Sequence, residues 1–153
     1  MSEFITTYSK IHFTPTAPIS ADIKIEDIAH ALSLMCRANG HFKSFFSVAQ
    51  HSINCSIEAR ERGYSKRIQL SCLLHDASEA YICDITRPVK KHLPQYLEFE
   101  DRLQKAIWNK YLEEPLNDEE TRQVFEIDDA MLHYEFLNFM GEQIFDYTLF
   151  TLL

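Results

Sequence analysis

The sequence predicts an all-α fold, a single helical-bundle domain of five or more helices over residues 1–153. With 153 residues, 46% of them hydrophobic, the chain is long enough for one buried core and too short to need two. Apolar residues recur at helical spacing between capping and stop signals along most of the chain. Only residues 1–22 alternate in a strand-like way, and with Pro15 and Pro18 they predict a short hairpin or extended lead-in.

The first two helices are marked at their ends. Apolar residues recur at helical spacing from about Glu26, and Asn39-Gly40 supplies a stop because both residues tolerate the left-handed cap conformation. Ser47-Val-Ala-Gln50 has the form of a capping box, so a second helix begins there and ends at Gly63. His51 therefore lies near the start of the second helix.

The third helix carries the most informative pair of residues, His75-Asp76. An apolar stripe predicts a helix from about Lys66 to Tyr81, in which His75 and Asp76 occupy an adjoining polar arc. Glu79 lies on the same arc, one turn after His75. One turn of helix would thus present an imidazole, a carboxylate and a further carboxylate.

The second half of the chain predicts two longer helices and a tail. A loop over residues 82–91 precedes a helix that begins near Pro94. Asn117-Asp-Glu-Glu120 is a capping box that opens a long helix ending near Gly141. The tail over residues 142–153 is too apolar to remain in water, so we expect it to pack on the domain, on a partner or on further sequence. An apolar tail of this kind is also compatible with a homo-oligomer, in which it would pack on a second copy of the chain.

Charge and cysteine content limit the class of protein. A formal net charge of -8 argues against stable nucleic-acid binding, which depends on clustered Lys and Arg. No segment approaches the apolar length of a membrane span, and no targeting segment is evident at the N-terminus, so we expect a cytoplasmic protein. The four cysteines are irregularly spaced, which favours reduced core thiols over zinc ligands or disulfides.

Three predicted helices contribute potential metal ligands: His51, His75-Asp76 and Asp128-Asp129. Helices of a bundle can direct such side chains at one point between them. A mixed set of imidazoles and carboxylates leaves positions open for water and substrate. It favours Mn, Mg, Fe, Co or Ni over a closed structural zinc site.

With these residues in place, the chain resembles the HD-domain phosphohydrolase superfamily, whose signature is one His, then His-Asp, then a distant Asp on an all-helical domain. It is most similar to the small bacterial and phage nucleotide hydrolases of that superfamily, the 5'-deoxynucleotidases and the phage dATP triphosphohydrolases. The matching stretches are residues 22–32, 36–41, 47–52, 74–81, 84–90 and 126–132.

The resemblance implies roles for particular residues. It makes His51, His75 and Asp76 ligands of a divalent ion (Mn, Co, Mg, Fe, Ni or Zn), with Asp128 as the fourth ligand because Met131, Leu132 and Glu135 follow it at the family's spacing. Asp129 is the alternative fourth ligand, because the family's pattern can also be aligned with the Asp at this position. It implies that Glu79 and Asp84 act on the attacking water, and that Arg37 and Lys90 face the phosphate.

Two positions depart from the family pattern. Cys83 stands where relatives usually have Gly before Asp84, and Thr86 stands where many have Pro. Neither removes a ligand, but both alter the loop that carries Asp84 and Lys90.

The expected activity is metal-dependent hydrolysis of nucleotides by attack of an activated water on phosphorus. A 5'-deoxynucleoside monophosphate phosphatase and a deoxynucleoside triphosphate triphosphohydrolase both remain open. The alternative is a catalytically weak, nucleotide-binding HD-domain sensor or a partner protein.

Overall fold

The computed structural model describes residues 3–142 and 144, and within them the fold is the predicted all-α bundle with a small hairpin at its start. The strands β1 (Ile5–Thr6) and β2 (His12–Phe13) pair antiparallel. The helices are α1 (Ile25–Leu34), α2 (Val48–Glu61), α3 (Lys66–Leu73), α4 (Glu79–Ile82), α5 (Arg87–Lys90), α6 (Pro94–Leu112) and α7 (Asp118–Met140). Short 3-10 turns cover Ser20–Asp22 and Arg37–Gly40.

The helix starts follow the capping signals of the sequence. The Ser47 side chain accepts a hydrogen bond from the Gln50 backbone N–H and opens α2. The reciprocal capping box at Asn117 and Glu120 opens α7, which ends at Gly141 in the left-handed conformation. These caps fix where His51 and Asp128 fall on their helices.

One predicted helix boundary is wrong, and one predicted loop is partly helical. The first helix ends at Leu34 rather than at Asn39-Gly40, where a 3-10 turn with positive φ at three successive residues carries the chain toward α2. The predicted loop over residues 82–91 also contains the one-turn helix α5.

The predicted helix from Lys66 to Tyr81 is interrupted, which corrects the placement of His75 and Asp76. Helix α3 ends at Leu73, and residues 74–78 form turns before α4 begins at Glu79. The buried Gln104 of α6 supports this break, because its Nε2 donates to the Leu74 carbonyl and its Oε1 accepts from the Ser78 N–H. The side-chain amide thus replaces backbone hydrogen bonds that a continuous helix would have made.

The core has two apolar parts that meet along α2. One includes Phe13, Leu32, Val48, Tyr81 and Ile107. The other includes Cys55, Ile68, Val124, Ile127 and Met131. His51 lies between Val48 and Cys55 on α2 and is completely buried, so the packed helices hold its ring at the junction of the two parts.

The apolar tail predicted for residues 142–153 lies almost wholly outside the described residues. Among the helices of the described part, none has the length and hydropathy needed to cross a membrane.

Candidate metal centre

The structure brings His51, His75, Asp76 and Asp128 together. His51 Nε2 lies 3.2 Å from His75 Nε2, 3.1 Å from Asp128 Oδ1 and 3.8 Å from Asp76 Oδ2. His75 Nε2 lies 3.4 Å from Asp76 Oδ2 and 3.5 Å from Asp128 Oδ1. Three separate parts of the chain, α2, the turns after α3 and α7, therefore converge on one point.

Hydrogen bonds on the far side of each ring aim both Nε2 atoms at this point. His51 Nδ1 donates to Glu135 Oε1 at 2.6 Å, and His75 Nδ1 donates to the Cys72 carbonyl at 2.7 Å. These contacts assign the proton of each neutral imidazole to Nδ1, so each Nε2 presents a lone pair. Such support of the distal nitrogen is typical of histidines that bind metals.

The centre is a cluster of acceptors that fits a cation. Both Nε2 atoms lie within 3.8 Å of a carboxylate oxygen of Asp76 and of a carboxylate oxygen of Asp128. Burial opposes the charged form of His75, but Asp76 and Asp128 outweigh it and raise the pKa of His75 to about 9. Burial also opposes ionisation of Asp128, whose pKa the two imidazoles nevertheless hold well below its usual value. Because His75 Nδ1 already donates to the Cys72 carbonyl, the additional proton lies on His75 Nε2, and a bound metal ion would take its place.

Cys55 borders the cluster. Its Sγ lies 3.4 Å from His51 Nε2, and the donor atoms of His51, Cys55 and His75 all lie within 4.8 Å of one another. This buried His-Cys-His group could hold a metal ion. The sequence predicted reduced core or near-core thiols, which is wrong for Cys36 and Cys83, because both are exposed. Cys55 is indeed a free, buried thiol, but it borders the imidazoles, and only its position one turn after His51 could have signalled this.

The two adjacent aspartates of α7 face different surroundings. Asp128 is 9% exposed and points at the imidazoles, whereas the side chain of Asp129 is 39% exposed and accepts from Arg87 Nη1 at 2.5 Å. Consecutive helical residues diverge by about 100°, which separates the two carboxylates. The structure thus brings Asp128, rather than Asp129, to the centre.

Glu135 supports the centre, although the sequence indicated it only through its spacing from Asp128. Its side chain is completely buried on α7, where Oε1 accepts from His51 and Oε2 accepts from Arg37 Nε at 2.7 Å. Arg37 in turn lies 3.4 Å from Asp76 and 3.7 Å from Asp128. Glu135 therefore fixes both an imidazole and a guanidinium at the edge of the cluster.

The residues predicted to move protons lie beside the centre. Glu79 is 4% exposed at the start of α4, and its Oε2 has no hydrogen-bond partner among the described residues. Burial, with the nearby charges of Asp76 and Asp84, raises the pKa of Glu79 well above its usual value. Burial also raises the pKa of Asp84, although Arg37 and Lys90 oppose the shift.

Two further cations, Lys90 and Arg87, lie next to carboxylates of the centre. Lys90 donates to Glu100 at 2.6 Å and lies 3.8 Å from Glu79 Oε1. Arg87, for which the sequence predicts no role, donates to Asp128 Oδ2 at 2.6 Å while its side chain remains 52% exposed. Its place three residues before Lys90 on α5 was the only signal for it.

Cys83 has a backbone conformation that favours glycine. Its φ of 70° and ψ of 160° lie in a region that side chains disfavour, and this strained residue ends α4 immediately before Asp84.

Comparison with known proteins gives two relatives and no activity. No family model matches the chain. It is 41% identical over 108 residues to the uncharacterized protein YfdR of Escherichia coli strain K12, over 71% of this chain and 58% of YfdR. It is also 41% identical over 95 residues to an uncharacterized protein of Rhodobacter capsulatus, over 59% of this chain and 48% of that protein. The chain therefore spans about half the length of the relatives it matches.

Proposed function

We propose that this chain is a divalent-metal-dependent phosphohydrolase that acts on nucleotides. The observation that carries the proposal is the convergence of two Nε2 lone pairs and two carboxylates on one point, held by Glu135 and the Cys72 carbonyl. The resemblance of its motifs to HD-domain phosphohydrolases supplies the reaction class.

The donor set fits a divalent ion such as Mn, Co, Mg, Fe, Ni or Zn. His51, His75, Asp76 and Asp128 would hold it, because their donor atoms already face one another and carry the charge to neutralise it. A bound divalent ion supplies Lewis acidity, which lowers the pKa of a coordinated water from about 15.7 toward neutrality.

Glu79 is the residue best placed to move a proton. It is buried beside Asp76, one of its oxygens lacks a hydrogen-bond partner within the described part of the chain, and burial raises its pKa above the usual value for a glutamate. Asp84, also with a raised pKa, is the second candidate for returning a proton to the leaving oxygen.

Three cations offset the protein's net charge of -8 where a phosphate would bind. Arg37 is held rigidly by Glu135, so its guanidinium needs little ordering to contact a phosphate oxygen. Lys90 lies beside Glu79, and Arg87 lies half exposed over Asp128. The three cations next to the carboxylates of this site favour an anionic substrate.

The test is turnover of a panel of deoxynucleoside mono- and triphosphates by metal-loaded protein, with products identified as phosphate, pyrophosphate or triphosphate. We expect metal-dependent hydrolysis that is lost in His75→Ala and Asp76→Ala together with bound metal. Nucleotide binding without any turnover would instead favour a sensor, and hydrolysis unchanged in both variants would refute the proposed centre.

A further inference from the structure

Arg87 bridges the two adjacent aspartates of α7. Its Nη2 donates to Asp128 Oδ2 at 2.6 Å, and its Nη1 donates to Asp129 Oδ1 at 2.5 Å. The other oxygen of Asp128, Oδ1, lies 3.1 Å from His51 Nε2, so the two oxygens of this carboxylate have different partners. Arg87 therefore lies at the edge of the metal centre and leaves Asp128 Oδ1 to face the imidazoles.

Arg87 retains hydrogen-bond donors for a further ligand. A guanidinium carries five N–H groups, and the contacts within the described part of the chain use one on each Nη of Arg87. The side chain is 52% exposed, so its remaining N–H groups are open to solvent. Lys90, one turn further along α5, lies 3.8 Å from Glu79 Oε1. This one-turn helix thus presents two cations beside carboxylates of the centre, as binding of an anion requires.

Asp129 holds Arg87 without contacting the imidazoles. Its side chain is 39% exposed, and its ion pair within the described residues is with Arg87. An arginine loses rotamer freedom when a ligand orders it, and an arginine already held by a carboxylate loses less. Asp128 would share its charge with a bound ion, so Asp129 is the carboxylate that keeps Arg87 in place when the centre is occupied.

We propose that Arg87 contacts the phosphate of the substrate at the metal centre and that Asp129 is the residue that positions it. This inference rests on the proposed function and deepens it, because it gives Asp129 a role in substrate binding that is separate from metal binding. The guanidinium fork suits this role, since it donates to a phosphate oxygen and to a carboxylate at the same time.

The test is calorimetric binding of methylphosphonate, a phosphate-like anion without a cleavable ester bond, to the full chain saturated with Mn²⁺. We expect Arg87→Ala to raise the Kd at least about tenfold, through loss of a charge-assisted hydrogen bond, and Asp129→Asn to raise it about three- to tenfold. Arg122→Ala is the matched control. Arg122 also bridges two carboxylates, those of Glu119 and Glu126, and is 55% exposed, so its replacement should leave the Kd unchanged.

A double-mutant cycle separates positioning from a general structural effect. If Asp129 acts through Arg87, Asp129→Asn should have no further effect on the Kd in the Arg87→Ala background. An equal loss in both backgrounds would overturn the positioning role. Tighter binding by Asp129→Asn alone would also overturn it, because Asp129 would then act by repelling the anion.

The remaining outcomes distinguish this inference from the proposed function. An unchanged Kd in Arg87→Ala, or no methylphosphonate binding by the Mn²⁺-saturated chain, would overturn the inference and leave the metal centre intact. Failure of the unsubstituted chain to bind a divalent ion would overturn the proposed function as well. If Arg87→Ala does not fold, Arg87→Lys decides the question. Its ammonium lacks the planar fork, so its Kd should rise at least about threefold, and an unchanged Kd would overturn the assignment.

Discussion

Replacing Glu135 by glutamine tests whether this buried carboxylate supports the metal centre. The two Glu135 oxygens accept from His51 Nδ1 at 2.6 Å and from Arg37 Nε at 2.7 Å. A glutamine has one acceptor oxygen, so its NH₂ group must face one of the two donors. One charge-assisted hydrogen bond is lost and the other becomes a weaker bond to a neutral acceptor, which should lower the free energy of unfolding by about 2–4 kcal/mol.

The same substitution should weaken metal binding. If the glutamine NH₂ faces His51, Nδ1 must accept, and the ring proton moves to Nε2, where it blocks the lone pair. If it faces Arg37, the guanidinium loses its anchor beside Asp76 and Asp128. We expect the affinity for a divalent ion to fall about 10–100-fold, the range seen when groups that orient a ligand are removed.

The assay is urea unfolding together with metal titration by calorimetry, and Glu58→Gln is the matched control. Glu58 is 1% exposed on α2 and accepts from Arg62 Nε at 2.6 Å. Its replacement should therefore lower stability and leave metal affinity unchanged. Equal metal affinity in Glu135→Gln and the unsubstituted chain, or an equal loss in both variants, would refute the reasoning.

Four further results are expected. Asp128→Asn should lose bound metal in elemental analysis, whereas Asp129→Asn should retain it, because only the former faces the imidazoles. Glu79→Gln should keep the metal and lower kcat about 10²–10⁴-fold, while loss of metal would make this residue a ligand. Asp27→Asn should lower unfolding free energy by about 1–3 kcal/mol at pH 7, since its oxygens accept two hydrogen bonds from the hairpin turn. Burial opposes ionisation of Asp27, but those bonds keep its pKa below the usual value, so the difference from the unsubstituted chain should persist above about pH 4 and shrink as the pH falls further. Cys83→Gly should raise unfolding free energy by about 1 kcal/mol by relieving the positive φ, and a lower urea midpoint would contradict this account.

The sequence by itself determined the all-α class and the position of the main helices. Those features depend on local chemistry: Ser47 and Asn117 accept from backbone N–H groups three residues later, and Gly141 adopts a left-handed cap. Helix starts in turn set the phase of each helix, so His51 and Asp128 were placed on their helices without knowledge of their neighbours.

Only the tertiary structure decided how the centre is assembled. Gln104 of α6 bonds to the backbone at the break between α3 and α4, where His75 and Asp76 lie. Glu135 joins His51 to Arg37 across the bundle, and Arg87 covers Asp128. These contacts join residues far apart in sequence, and hydrophobic periodicity carries information about which face of a helix is buried but not about which polar groups meet there.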